Sequence, residues 1–188
     1  MSISGTGYWL FDPRGSDQHC FDSNVAKEIV ALATEHRPSL IYDFGCGDGK
    51  YTAALVEAGF AARGFDGNPQ TSLVANCEVQ DLTSETLQMP PVEFLLSLEV
   101  AEHIPSHLEA KFVNNLDKHV RAGGLLFISW AVEGQLGLGH VNCRNNDYVI
   151  GLFESMQYTY LVAESDAIRA KSELPWFRNT IMAFRKNY

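Results

Sequence analysis

Glu99-Val100-Ala101-Glu102-His103 brings two carboxylates and an imidazole into five consecutive residues. On a helical turn, positions i, i+3 and i+4 share one face. Such a donor set suits a divalent ion such as Mg²⁺, Mn²⁺ or Zn²⁺. His140, in the glycine-bordered stretch Gly137-Leu138-Gly139-His140, adds a further donor. The candidate metal ligands are therefore Glu99, Glu102, His103 and His140. Imidazole titrates nearest neutral pH, so His140, His103 and His19 are also the candidate catalytic bases. A second constellation is Asp43-Phe44-Gly45-Cys46-Gly47-Asp48-Gly49. Its glycines let the backbone approach a ligand where a Cβ would clash. Asp66 follows Gly45 at close to the ~20-residue offset of a carboxylate that accepts from both hydroxyls of a ribose. Asp81 offers an acceptor to an exocyclic amine such as adenine N6. No G-x-x-x-x-G-K-[ST] occurs, which excludes a P-loop, and Lys50 fills the third small position of the dinucleotide fingerprint G-x-G-x-x-G/A. A ligand with adenine, ribose and no phosphates fits this set best.

Those residues need strands to present them. Residues 1–21 carry Gly, Pro and aromatics without clear period and read as an irregular arm. Asp22 or Ser23 can cap a helix whose apolar face is Val25, Ile29, Val30 and Ala33, with Arg37-Pro38 as its stop. Residues 40–44 form a buried strand that runs into the glycine turn, and 51–58 a helix closed by Gly59. Further strands are expected over 60–65, 76–80 and 92–98. Ser106 with Glu109 reads as a capping box for a helix bearing Leu108, Phe112, Leu116 and Val120, ended by Gly123-Gly124. A fifth strand is expected over 125–132, and a helix whose face is Val149, Leu152, Phe153 and Met156. Two last strands, 158–163 and 176–184, show no helical pattern between them and are expected to form an antiparallel hairpin at one edge. Alternating strand and helix force parallel strands with crossover helices, an α/β sheet covered on both faces. Ligands of such sheets bind outside the carboxyl ends of the strands, where Gly45, Asp66, Asp81, Leu98, Glu99 and the run toward His140 all fall.

The chain has 188 residues, 46% of them hydrophobic and 20% charged, which is one globular domain's worth. Its formal net charge of −9, with no Lys/Arg run, disfavours binding to a phosphate backbone, so no nucleic-acid partner is expected. No stretch approaches the roughly 18 apolar residues of a membrane span. The N-terminal residues show no basic region followed by an apolar one. Cys20, Cys46, Cys77 and Cys143 contain no C-x-x-C pair and read as reduced thiols, which suits a cytoplasmic location.

Together with Ser97-Leu98-Glu99-Val100-Ala101-Glu102-His103-Ile104-Pro105, the glycine stretch, Asp66 and Asp81-Leu82 resemble, in order and spacing, the successive motifs of class I S-adenosylmethionine-dependent methyltransferases of the small-molecule type. The resemblance runs from about residue 23 to the C-terminus. It implies a Rossmann-like seven-stranded, mostly parallel sheet with helices on both faces and an antiparallel last strand, with residues 1–22 as an arm or cap before a methyltransferase domain over 23–188. It implies S-adenosylmethionine as cofactor and S-adenosylhomocysteine as product. Gly45 and Gly47 would border the methionine portion, Asp66 the ribose and Asp81 the adenine amine, with Leu98 and Glu99 toward the transferred methyl. Asp43, Cys46, Gly67, Asn68 and Leu82 complete the expected cofactor contacts. A similar E-x-x-E-H occurs in metal-assisted O-methyltransferases of the ubiquinone pathway and of small-RNA 3′ ends. In related enzymes such arms cover the cofactor. Here the arm holds Arg14, Asp17 and His19, and Tyr8, Trp9 and Phe21 would wall the acceptor pocket. The fourth strand ends in Ser-Leu-Glu-Val, not in the Asn/Asp-Pro-Pro-Tyr/Phe of nucleobase amino-methylation. A small-molecule acceptor, with oxygen preferred, is the expectation. A non-catalytic S-adenosylmethionine-binding subunit or sensor is the alternative. An NAD-dependent oxidoreductase ranks behind both, since it needs glycine or alanine where Lys50 stands.

Overall fold

The computed structural model describes residues 3–14 and 19–188. Asp17, and with it part of the expected 1–22 arm, lies outside the described residues. Seven strands form one sheet in the order β3-β2-β1-β4-β5-β7-β6. They are β1 (Ile41–Phe44), β2 (Ala62–Asp66), β3 (Cys77–Val79), β4 (Val92–Ser97), β5 (Val120–Ile128), β6 (Tyr158–Tyr160) and β7 (Met182–Lys186). β3, β2, β1, β4 and β5 run parallel, while β7 pairs antiparallel with both β5 and β6. The order reverses between β1 and β4, and their carboxyl ends open the crevice where such a sheet takes its ligand.

Side-chain alternation along the central strands divides the core. Tyr42, Phe44, Leu95, Leu126 and Ile128 pack on one face with Phe112 and Leu116 of α3 (Glu109–His119) and Val149 and Phe153 of α4 (Asn146–Ser155). Ile41, Phe94, Leu96, Leu125 and Phe127 pack on the other. There they meet Val25, Ile29 and Ala33 of α1 (Ser23–His36), Leu55 of α2 (Lys50–Glu57) and Ile168 of α5 (Val162–Lys171). Neighbouring residues of β4 thus belong to opposite cores, the signature of a strand buried on both faces.

α1 begins where the cap residues predict. Asp22 Oδ1 accepts from the amides of Asn24 and Val25. Its Oδ2 accepts from Ser172 Oγ and the amides of Glu173 and Leu174, so one buried carboxylate ties α1 to the segment after α5. Arg37, at φ 51°, ends the helix before Pro38.

Several expected elements differ. Ser106 to Leu108 form a 3₁₀ turn, α3 starts at Glu109, and no side chain caps it. Glu109 is engaged elsewhere, accepting from Asn142, Arg144 and Tyr148, so the S-x-x-E pattern is a strut and not a capping box. α3 ends at His119, and Gly123-Gly124 lie inside β5, where the β4–β5 register shifts between Val92 and Phe94. The last two strands are not a hairpin: α5 and α6 (Phe177–Thr180) lie between them, and β7 inserts between β5 and β6. α5 buries only Ser165 and Ile168, so its sequence carries almost no apolar stripe to read.

Among the described residues, no helix is long and apolar enough to cross a membrane.

Candidate active site

The first crossover turn holds Gly45 at φ 83° and Gly47 at φ 53°, a conformation that disfavours a Cβ. Space forbids one too. At Gly45 it would strike the Val100 side chain, and at Gly47 it would lie 2.6 Å from His19 Nδ1. The turn is fastened to β2: the amides of Gly45 and Cys46 both donate to Phe65 O, at 2.7 and 3.2 Å. Asp66, at the end of β2, accepts from the Gly47 amide through Oδ2 (3.2 Å) and from the Asn68 amide through Oδ1 (2.9 Å). One lone-pair site on each oxygen stays open for a ligand hydroxyl. Burial pushes this carboxyl up from its ordinary value, and the two amides oppose that. Asp81 Oδ1 accepts from the amide and hydroxyl of Thr83, at 2.8 and 2.7 Å, which fixes its orientation beside Leu82.

These groups wall one cavity of about 320 Å³. Gly45, Cys46, Gly47, Asp66, Gly67 and Asn68 line it on one side, with Asp81 and Leu82 beyond them. Leu98, Glu99, His103 and His140 line it as well, as does His19. Asp43 does not. It sits beneath the turn, 3% exposed, accepts from Thr52 Oγ1 at 2.8 Å, and burial pushes it up to about 7.

Described residues of the arm line the cavity too, among them Tyr8, Trp9 and Phe21. Ile3 bridges to Trp9, Asn68 Nδ2 donates to Phe11 O at 2.7 Å, and Gly7 rests on the His103 carbonyl. The Tyr8 ring lies on Gly67 beside Asp66, at the end expected for the nucleoside and not the acceptor. The Trp9 ring packs tilted against His19 (4.9 Å between centroids) and edge-on against His103 (5.2 Å). His19 therefore belongs to the glycine turn, apart from the other two candidate bases. Burial lowers its affinity for a proton, and the carboxylates of Asp48 and Asp66 oppose that.

The E-x-x-E-H stretch is not one helical face. Glu99 is left-handed at φ 56°, and only Ala101 to His103 form a 3₁₀ turn. Glu99 Oε1 accepts from Ser129 Oγ at 2.7 Å, and burial pushes its carboxyl up to about 7. Glu102 is fully buried, and neither of its carboxylate oxygens has a hydrogen-bond partner among the described residues. Burial and the neighbouring Glu99 drive its pKa well above normal. Glu102, His103 and His140 nevertheless meet, each offering a ligand atom within 4.8 Å of the others. Glu99 is not part of that group. The meeting is enforced by backbone: the amides of Val141 and Asn142 donate to Glu102 O, at 2.9 and 3.0 Å. His103 Nδ1 faces Gly139 O at 3.2 Å and His140 Nδ1 faces Gln135 O at 3.1 Å. A carbonyl accepts only from an N–H, so each ring presents the Nε2 lone pair, the arrangement that orients metal-binding imidazoles. Burial, followed by His140, lowers His103 to about 4, so it is neutral at pH 7.

Sequence reasoning did not single out Ser129, Gln135, Leu136, Leu138 or Trp176. Ser129 orients Glu99, and the other four complete the cavity wall. Their only signal is a position past the end of β5 or just before α6.

A family model described as a methyltransferase domain matches residues 42–128. Comparison with curated proteins finds no significant match. Among solved structures, TehB from Haemophilus influenzae is similar at a TM-score of 0.64 and 16% identity, with 86% of this chain and 62% of that one covered. The chain thus spans less than two thirds of TehB. The 1,6-didemethyltoxoflavin-N1-methyltransferase of Burkholderia thailandensis gives 0.59 and 16%, covering 92% and 80%. Magnesium protoporphyrin IX methyltransferase of Synechocystis PCC 6803, with S-adenosylhomocysteine bound, gives 0.63 and 16%, covering 86% and 81%. At such identities the likeness is one of fold. The fold, and the family match over residues 42–128, are those of a class I S-adenosylmethionine-dependent methyltransferase domain. S-adenosylmethionine is the cofactor of that class.

Proposed function

We propose that this chain transfers the methyl group of S-adenosylmethionine to the oxygen of a small-molecule acceptor, with a divalent cation held by Glu102, His103 and His140. The observation that carries the reading is one cavity walled by the glycine turn, Asp66 and Asp81 on one side and by Glu99, His103 and His140 on another. Asp66 would take the ribose hydroxyls and Asp81 the adenine amine. Gly45, Cys46 and Gly47 would face the methionine portion, with Gly67, Asn68, Leu82 and Leu98 packing around the nucleoside. Residues 23–188 would form the catalytic domain and the preceding arm its cover. A volume near 320 Å³ suits a small ligand, at the low end of the roughly 300–1,000 Å³ of such sites. Among the described residues no Lys or Arg lines the cavity, which speaks against a phosphate-rich acceptor.

The sulfonium is an activated donor. The acceptor oxygen bonds to the methyl carbon as the sulfur–carbon bond breaks, and the electron pair stays on sulfur. Alignment supplies up to roughly 7–11 kcal/mol of such a barrier. The acceptor hydroxyl must also lose its proton; with Nε2 of His103 and His140 engaged by the ion, the Glu99 carboxylate in the cavity wall is the group left to accept it. A cation fits the three residues because Glu102 is buried with both oxygens unpartnered and both imidazoles present lone pairs. Such an ion would supply a Lewis acid that lowers the pKa of an acceptor hydroxyl.

The test is transfer of labelled methyl from S-adenosylmethionine into a metabolite extract, with products resolved by mass spectrometry. A labelled small molecule bearing O–CH3 is expected. Persistent silence while S-adenosylhomocysteine still binds would overturn the transfer in favour of a non-catalytic cofactor-binding protein.

A further inference from the structure

Two side-chain nitrogens in the cavity wall lack a partner. Among the described residues, nothing hydrogen-bonds to Trp9 Nε1 or His19 Nε2, both buried, and both residues line the cavity. Their rings are neighbours, with centroids 4.9 Å apart. An indole nitrogen only donates, and an imidazole Nε2 donates when it carries hydrogen. Buried donors without acceptors are rare in folded proteins. Two of them side by side in a ligand cavity mark where a ligand's acceptor group belongs.

Position selects that group. The imidazole rests on Gly47, the second glycine of the turn that the reading above sets against the methionine portion of the cofactor. Asp66 and Asp81 are acceptors and call for the hydroxyls and amine of the adenosyl portion. The sulfonium and ammonium are cations with nothing to accept a hydrogen bond. The methionine carboxylate is the cofactor's one anion, it has two oxygens, and no Lys or Arg among the described residues lines the cavity to meet it.

We propose that Trp9 Nε1 and His19 Nε2 form a two-donor clamp for the cofactor's methionine carboxylate, one donor to each oxygen. The arm then reads the amino-acid end of the cofactor, and His19 is a cofactor-binding residue, not the base. This inference rests on the cofactor reading of the preceding subsection.

Calorimetric titration with two ligands tests it. S-adenosylhomocysteine carries the carboxylate, whereas 5′-methylthioadenosine keeps adenosine and sulfur but lacks the amino-acid end. Trp9→Phe, which keeps a flat ring but loses the donor, and His19→Ala should each weaken S-adenosylhomocysteine roughly tenfold or more. Both should leave 5′-methylthioadenosine within about threefold of wild type, which also shows that the variants fold. His19→Gln, which restores a donor, should recover most of the loss. Equal weakening of both ligands would overturn the clamp and make the two rings mere cover. So would unchanged S-adenosylhomocysteine affinity, or a fall in single-turnover transfer alone, which would return His19 to the role of base. An acceptor's carboxylate as the true occupant would likewise leave S-adenosylhomocysteine affinity unchanged. Failure of the wild type to bind either ligand would instead remove the cofactor reading itself.

Discussion

Replacing Asp66 by Asn isolates the group that should grip the ribose. The carboxylate already takes the Gly47 and Asn68 amides, leaving one open lone-pair site per oxygen for the two hydroxyls. A hydrogen bond to a charged acceptor contributes ~1.5–3 kcal/mol. The amide keeps one uncharged acceptor and turns its NH2 against donors, so about 2–4 kcal/mol should vanish, a loss of roughly 30- to 1,000-fold in affinity for S-adenosylhomocysteine. Stability of the free protein should move the other way. Burial holds the Asp66 carboxyl above its ordinary value, so the folded state binds its proton more tightly than the unfolded chain does. Asp66 therefore costs stability as pH rises from the unfolded pKa to the folded one, and that cost persists above it. Asn removes it, so the variant should melt no lower than wild type at pH 7. Ligand hydroxyls favour the ionised form, so wild-type affinity should fall as pH drops through the raised pKa, and the variant should lose that dependence. Titration calorimetry and thermal melts between pH 5 and 8 read all three effects. An affinity within threefold of wild type, with an intact melt, would refute the assignment of Asp66 to the cofactor.

The other buried carboxyls respond to substitution as well. Glu102→Gln should raise the melting temperature of metal-free protein at neutral pH, because it removes an unpartnered buried carboxyl, and should abolish retention of a divalent ion measured by elemental mass spectrometry. Asp43→Asn should flatten the pH dependence of unfolding between about pH 4 and 7. In the wild type, burial raises Asp43 to about 7, so stability should decline across that window by up to ~4 kcal/mol, read by urea titration at several pH values. Asp22→Ala removes the cap of α1 and three bonds to the segment after α5, and should cost about 2–4 kcal/mol by the same measurement.

The sheet and its nucleoside edge were legible because each piece is local. A buried strand, a glycine turn and a carboxylate at the next strand's end lie within about 25 residues of one another, and β1, the turn and Asp66 fall where expected. The edge of the sheet was harder. With Ile168 the only buried apolar residue of α5, the helix leaves no period to detect, and the 3.6-residue signal that revealed α1 is missing. Gly123-Gly124 misled for a related reason: a glycine pair after an amphipathic stretch serves a helix end or a bulged strand equally well, and pairing with β4 decides which.

The sequence by itself determined the parallel α/β class and the line of strand ends that carries Gly45, Asp66 and Asp81, since hydrophobic period and turn residues act over short range. Only the tertiary structure decided which donors meet. Glu99 and Glu102 are three residues apart, yet a left-handed Glu99 turns to Ser129, while His140, far along the chain, joins Glu102 and His103 through amides on the Glu102 carbonyl. Likewise Trp9 packs against His19, whose ring lies at Gly47. Contacts of that kind depend on backbone hydrogen bonds between distant segments, and no residue period encodes them.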